Sequence, residues 1–130
     1  MGTHTSNNDP NYLMIVKVKV PSSDANEKIE NDSKEPDNKI EIAIKINHEG
    51  EVNRARHMPQ ASKVIATKTN KGEVHIFDYF KHPSIPTDST VKPELRLTGH
   101  SDEGYGLCWS TLQTGYLLSG GYDKKVINSY

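Results

Sequence analysis

The sequence predicts an all-β fold built from repeated antiparallel meanders, and three observations carry that prediction. First, two stretches superpose at a fixed offset of 52 residues without a gap: His48, Glu51, Thr67, Val74 and Phe77 fall onto His100, Glu103, Ser119, Val126 and Ser129. Second, apolar residues come in short runs at 12–20, 40–46, 64–66, 74–80 and 104–118, some alternating with polar residues as half-buried strands do. Third, Gly, Asn and Pro cluster between the runs, where tight turns need them. A period of about 40–50 residues with several short strands per unit marks a β-propeller or related array, in which no unit buries its own apolar faces alone. Function in such an array is expected on a binding surface.

Residues 12–20 are rich in β-branched side chains and stop at Pro21, so 1–20 reads as the end of a first blade. Residues 21–38 hold Ser22, Ser23, Asn26, Asn31, Ser33 and Pro36 among mixed charges, and read as an acidic, polar loop or disordered insertion. Then Ile40, Ile42, Ile44 and Ile46 alternate with Glu41, Ala43, Lys45 and Asn47, which predicts a strand with four isoleucines on a core face. His48-Glu49-Gly50 is a turn, 51–58 a second strand, 64–67 a third, Asn70-Lys71-Gly72 a tight turn and 73–80 a fourth strand. Together, 39–80 is expected to be one complete blade.

The stretch 81–93 contains Pro83, Pro86 and Pro93 and is excluded as an interior strand. The pattern restarts over 94–130 as a second, truncated blade, with strands at 94–98, 104–110, 115–121 and 124–130 and Gly99-His100 as a turn. Gly2-Thr3-His4-Thr5 resembles Ala66-Thr67-Lys68-Thr69, which extends the plan to the first fragment. The chain thus accounts for about two blades, against the roughly 4–8 that close a ring.

Composition removes several function classes. Hydrophobic residues make up 33% of the 130-residue chain and charged ones 25%, so the core is small and stability alone is expected to be marginal. A net charge of −1 carries no bulk footprint for nucleic acid or an anionic membrane. Lys17 and Lys19 read as the solvent face of a strand. The longest apolar run is far short of the roughly 20 residues that span a bilayer, and Met1-Gly2-Thr3-His4-Thr5-Ser6 does not read as the charged n-region and apolar h-region of a secretory signal. Gly2 with Ser6 and Asn31-Asp32-Ser33 are short matches to lipidation and glycosylation patterns that carry little specificity.

Chemistry is equally sparse. Cys108 is the single cysteine, set in the apolar Leu107-Cys108-Trp109 where a buried inert thiol is expected, and no histidine pair has metal-ligand spacing. Gly104-Tyr105-Gly106 lacks the third glycine and following helix of a dinucleotide site. Neither catalysis, nor a cofactor, a metal or a small-molecule substrate is expected.

Two sets of residues resemble a known family. Gly99-His100 with Leu117-Leu118-Ser119-Gly120-Gly121-Tyr122-Asp123 resembles the WD-repeat pattern, and Phe77-Asp78 stands where Trp-Asp is usual. In that repeat a turn His, a strand Ser or Thr, a turn Asp and the Trp form a buried hydrogen-bonded chain; His100, Ser119 and Asp123 match three of the four, and Ser129 occupies the Trp position. More closely, residues 39–56, Met58-Pro59-Gln60, Ile65-Ala66-Thr67-Lys68-Thr69, Phe77-Asp78-Tyr79, Lys81-His82-Pro83 and Glu103-Gly104-Tyr105-Gly106-Leu107 resemble the retinoblastoma-binding, histone-binding WD-repeat proteins, which include the small subunit of chromatin assembly factor. The likeness covers nearly the whole chain outside 21–38.

The resemblance implies a nuclear propeller that binds histones and serves as a subunit of chromatin assembly, deacetylase, remodelling or Polycomb-type complexes. In a propeller the loops entering the innermost strands meet at one mouth, so Glu51 with Asn53, and Glu103 with Tyr105, are expected on neighbouring blades there. Carboxylates offer a basic tail charge-assisted hydrogen bonds, and a tyrosine face offers a cation–π contact. By resemblance His4, Glu51, Asn53, Arg54, Glu103 and Tyr105 match positions of the family's tail-binding mouth. Taken without the family, Glu51 and Glu103 also fit loop carboxylates satisfied by Arg54 or solvent. A truncated, non-autonomous copy without independent binding is the alternative reading of the whole chain.

Overall fold

The computed structural model describes residues 1–6, 8–19 and 40–129; the expected loop at 21–38 lies outside them. Among the described residues nine strands run β1 (Asn11–Val18), β2 (Ile40–His48), β3 (Val52–Met58), β4 (Ala61–Thr69), β5 (Val74–Asp78), β6 (Leu95–Leu97), β7 (Gly106–Trp109), β8 (Leu117–Gly120) and β9 (Val126–Ser129), with one 3₁₀ turn at Tyr79–Lys81. Three antiparallel sheets result: β1-β2, β3-β4-β5-β6 and β7-β8-β9. The fold is therefore all-β, in an arrangement compatible with part of a β-propeller.

The sheet boundaries differ from the expected blades at 39–80 and 94–130. β2 does not open the second sheet; it pairs with β1 from Asn11↔His48 to Val18↔Ile40. Likewise β6 does not open the third sheet but closes the second, pairing Val74↔Leu97 and Ile76↔Leu95. The sequence unit and the sheet are out of phase by one strand, and the loop at 81–93 lies within the second sheet's chain path. Periodicity locates strands but leaves open which neighbour each one pairs with.

Apolar alternation then fixes what meets what. Leu13 and Ile46 face Ile65 and Phe77 across the first junction, and Phe77 is 0% exposed. Burying a side chain of that size contributes about 2–3 kcal/mol. Met58, Ala66, Val74 and Ile76 face Leu107, Trp109 and Leu117 across the second junction. The Trp109 indole Nε1 also donates to Arg56 O at 2.9 Å, so the second junction joins a buried aromatic to a backbone acceptor.

Two expected burials fail. Of the four isoleucines in β2 only Ile46 is fully buried; Ile40 and Ile42, which lie beyond a register shift in the β1–β2 ladder, are 69% and 55% exposed. The register shift between Ile15 and Val16 sets Ile15 against Ile44 but Val16 against Ile42, so Ala43 is an extra residue in β2 and the alternation that would put four isoleucines on one face is interrupted there. Cys108 is exposed rather than buried, because Leu107 and Trp109 take the inward face of β7 and alternation turns Cys108 outward.

Candidate functional site

Two polar groups sit at the entries to β3 and β7. In the first, the Glu51 carboxylate is only 7% exposed and is held on three sides. Oε1 accepts from the Ser6 backbone N–H at 2.5 Å, Oε2 pairs with His4 Nε2 at 2.8 Å and accepts from Asn70 Nδ2 at 3.4 Å. Asn70 returns the contact by accepting from the Glu51 N–H at 3.1 Å. Gly50, at φ +70°, makes the turn that delivers Glu51, and an added Cβ there would meet the Asn70 side chain.

In the second group, the β3–β4 register slips between Val52 and Arg54, so Asn53 stands outside the ladder. Such a bulge re-aims the extra side chain. The Asn53 amide reaches the third sheet, donating from Nδ2 to Glu103 Oε2 at 3.1 Å and to Gly104 O at 3.3 Å. Its Oδ1 is buried without a hydrogen-bond partner. Gly104 itself packs closely on the end of β8: a Cβ there would stand 2.5 Å from Gly120 O and 2.6 Å from the Gly121 Cα. Tyr105 is 43% exposed beside Tyr122, with ring centroids 6.3 Å apart.

Thus the structure brings His4 to Glu51 and Asn53 to Glu103, while Tyr105 faces Tyr122 and the half-buried Arg54 lies opposite Lys68 in the β3–β4 ladder. Glu51 is not paired with Arg54; its partners are His4, Ser6 and Asn70. Asn70 carries half of the first group and was not among the residues expected at the site. Its position in an Asn-Lys-Gly turn was the available signal.

Behind each entry lies a histidine. His100 Nδ1 donates to Asp123, with Oδ1 at 3.0 Å and Oδ2 at 3.1 Å, and Nε2 lies 2.7 Å from Ser119 Oγ. Desolvation pushes the Asp123 carboxyl up, but His100 and the backbone N–H groups of Ser101 and Lys125 outweigh it and hold it at about 2. In the preceding unit His48 Nε2 lies 2.8 Å from Thr67 Oγ1, and Nδ1 donates to Gly50 O at 2.9 Å. The carboxylate is missing there because Lys71 occupies the position equivalent to Asp123. Burial drives His48 down to about 4, so the ring is neutral near pH 7.

Beside His48, His75 is 1% exposed, donates from Nε2 to Glu73 at 2.8 Å and leaves Nδ1 without a partner. Arg96 bridges Glu49 at 2.8 Å and Glu73 at 3.3 Å at the surface of the same region. Among the described residues, no group of three His, Cys, Asp or Glu side chains is placed to hold a metal ion. No model of a known protein family matches the chain.

Proposed function

We infer that this chain is part of a histone-binding WD-repeat propeller, a nuclear subunit of chromatin complexes, and that it receives a basic histone tail at the entries to β3 and β7. The observation that supports the reading is the Asn53–Glu103 bridge. It gathers a half-buried carboxylate, the Gly104 carbonyl and the buried, unpartnered Asn53 Oδ1 within one small region. All are acceptors, and a lysine ammonium or arginine guanidinium supplies only donors. Tyr105 stands next in sequence with an exposed ring suited to a cationic stem.

Within this reading the six residues divide their work. Glu51 is committed to His4, Ser6 and Asn70, so it holds the N-terminal segment against the β3 entry. Glu103 and Asn53 meet the tail directly. Histones and the subunits of the surrounding complex are the partners.

The test is calorimetric titration of the chain with a basic histone-tail peptide at low salt. Glu103→Gln should weaken binding about tenfold or more, since a hydrogen bond to a charged group is worth about 1.5–3 kcal/mol. Glu51→Gln should instead lower thermal stability with a smaller loss of affinity. No binding by the parent chain, or binding unmoved by Glu103→Gln combined with Asn53→Ala, refutes the proposal.

A further inference from the structure

The connection between β5 and β6 runs along the outer edge of β2, and the two enclose a cavity of about 100 Å³. Lys45 N–H donates to Ser84 O, and the Asn47 amide donates to Asp88 O and Thr90 O, so the two walls are fastened to each other. Both walls are internal to the chain, and they share no residue with the entries to β3 and β7. A single water needs about 10–15 Å³ of such space, so the cavity has room for a small polar group.

The charges on these walls are unbalanced. Lys45 lines the cavity from β2 and Lys92 from the connection, while Asp88 is the one carboxylate of the lining among the described residues. Asp88 is turned into its own loop, where Oδ1 accepts from the Thr90 N–H at 2.8 Å. The Lys45 ammonium lies 3.7 Å from the centre of the Tyr12 ring, and among the described residues neither it nor Lys92 has an oxygen acceptor for its donors. An ammonium carries three such donors. The connection's carbonyls at Ser84, Asp88 and Thr90 are already engaged by Lys45 N–H and the Asn47 amide. The Thr87 hydroxyl lines the same space, and strand alternation turns the Asn47 N–H to the side on which the Lys45 N–H leaves the sheet. His82 closes the cavity toward the core, its Nε2 3.4 Å from Glu94 and its ring against Phe77.

We propose that this cavity binds a phosphate group, held between the Lys45 and Lys92 ammoniums, with the Thr87 hydroxyl and the Asn47 N–H completing its shell. A phosphate monoester carries about −1.5 to −2 charge near pH 7 and three strong acceptor oxygens. It therefore answers two cations and the neutral donors at once, from different directions. A carboxylate brings a single charge and two oxygens in one plane. Ile46, Pro83 and Pro86 supply the apolar part of the lining, which strengthens each charged contact made there. Free phosphate and a phosphorylated serine on a partner offer the same group, and titration separates them.

Amide NMR titration of the whole chain tests this, with inorganic phosphate and with a short phosphoserine peptide as the probes. The Asn47 and Thr90 amides should shift saturably with phosphate and not with sodium chloride at matched ionic strength. Lys45→Gln with Lys92→Gln should weaken binding about tenfold or more, since two charge-assisted contacts are lost. Lys17→Gln with Lys125→Gln removes the same charge at exposed positions elsewhere and should change affinity by less than about twofold. A phosphopeptide that binds more tightly than inorganic phosphate, while its unphosphorylated form does not bind, assigns the group to a partner's side chain; equal affinities assign the site to free phosphate. Should the double variant lose the β-sheet circular dichroism signal, Lys92→Gln alone, at an exposed position outside the strands, replaces it. A parent whose Asn47 and Thr90 amides respond to neither probe overturns the proposal. So does binding that a folded Lys92→Gln or double variant keeps unchanged, or that the Lys17 and Lys125 control loses equally, because net charge alone would then draw the ion.

Discussion

Lowering the pH should destabilise this protein through His48, in a window fixed by its surroundings. The ring is 4% exposed, donates from Nδ1 to Gly50 O and accepts at Nε2 from the Thr67 hydroxyl. A second proton would place a donor where the hydroxyl already donates, inside a region shared with the His75 ring 5.3 Å away. Burial therefore depresses His48 to about 4, from 6.5 in the unfolded chain. Between those values the unfolded chain binds a proton that the folded one refuses, so stability is full above about 6.5, falls with falling pH, and has lost this contribution by about 4. At about 1.4 kcal/mol per pH unit, the loss is about 3 kcal/mol. His75, also lowered by burial, acts in the same direction. Asp123, held at about 2, contributes only at more acid pH. Urea unfolding at steps from pH 7 to pH 4 reads the slope, and His48→Gln should make it shallower by about one proton. A parent curve that is flat across this window, or a His48→Gln curve of equal slope, refutes the reasoning.

Other substitutions probe the junctions and turns. Trp109→Phe keeps most of the ring but strands Arg56 O, and urea unfolding should show a loss of about 1–3 kcal/mol. Gly104→Ala forces a Cβ to 2.5 Å from the Gly120 carbonyl oxygen, so the backbone must move; the thermal midpoint should drop sharply and tail binding should fall with it. Arg96→Met removes contacts to Glu49 and Glu73 among side chains that are all about a third exposed or more, so it should cost under about 1 kcal/mol, less at high salt. Lys124 holds φ +63° in the β8–β9 turn, and Lys124→Gly should raise stability by up to about 1 kcal/mol in the same urea assay.

Strand positions were legible in the sequence because alternation is a local property: the runs at 40–46, 64–66 and 74–80 all lie in strands of the structure or reach just past them. Pairing was not, because β2 and β6 satisfy the same period whether they open one sheet or close the one before. The extent of burial was also hidden. Ile40 and Ile46 are the same residue type at an even spacing, but the register shift at Ala43 interrupts the alternation between them, and they are 69% and 3% exposed. At the candidate site, the sequence offset set Asn53 opposite Tyr105 as equivalents, but the bulge at Asn53 turns its amide toward Glu103 instead. A two-versus-one pairing irregularity leaves no mark on apolar periodicity.

The one-strand phase difference gives the proline-bearing connection at 81–93 a structural task. Since β2 closes the first sheet, its outer edge would expose unpaired backbone groups, which is a template for unwanted strand pairing. The connection between β5 and β6 passes along that edge: Lys45 N–H donates to Ser84 O at 2.9 Å, and the Asn47 amide donates to Asp88 O at 2.6 Å and Thr90 O at 3.1 Å. Pro83 and Pro86 bring no N–H of their own to leave unsatisfied, so residues poorly suited to an interior strand are well suited to guarding an edge. The segment that the sequence marks as a break between blades thus fastens the second sheet to the outermost strand of the first. Loss of the first sheet would then also break bonds made by the second, which couples the unfolding of the two.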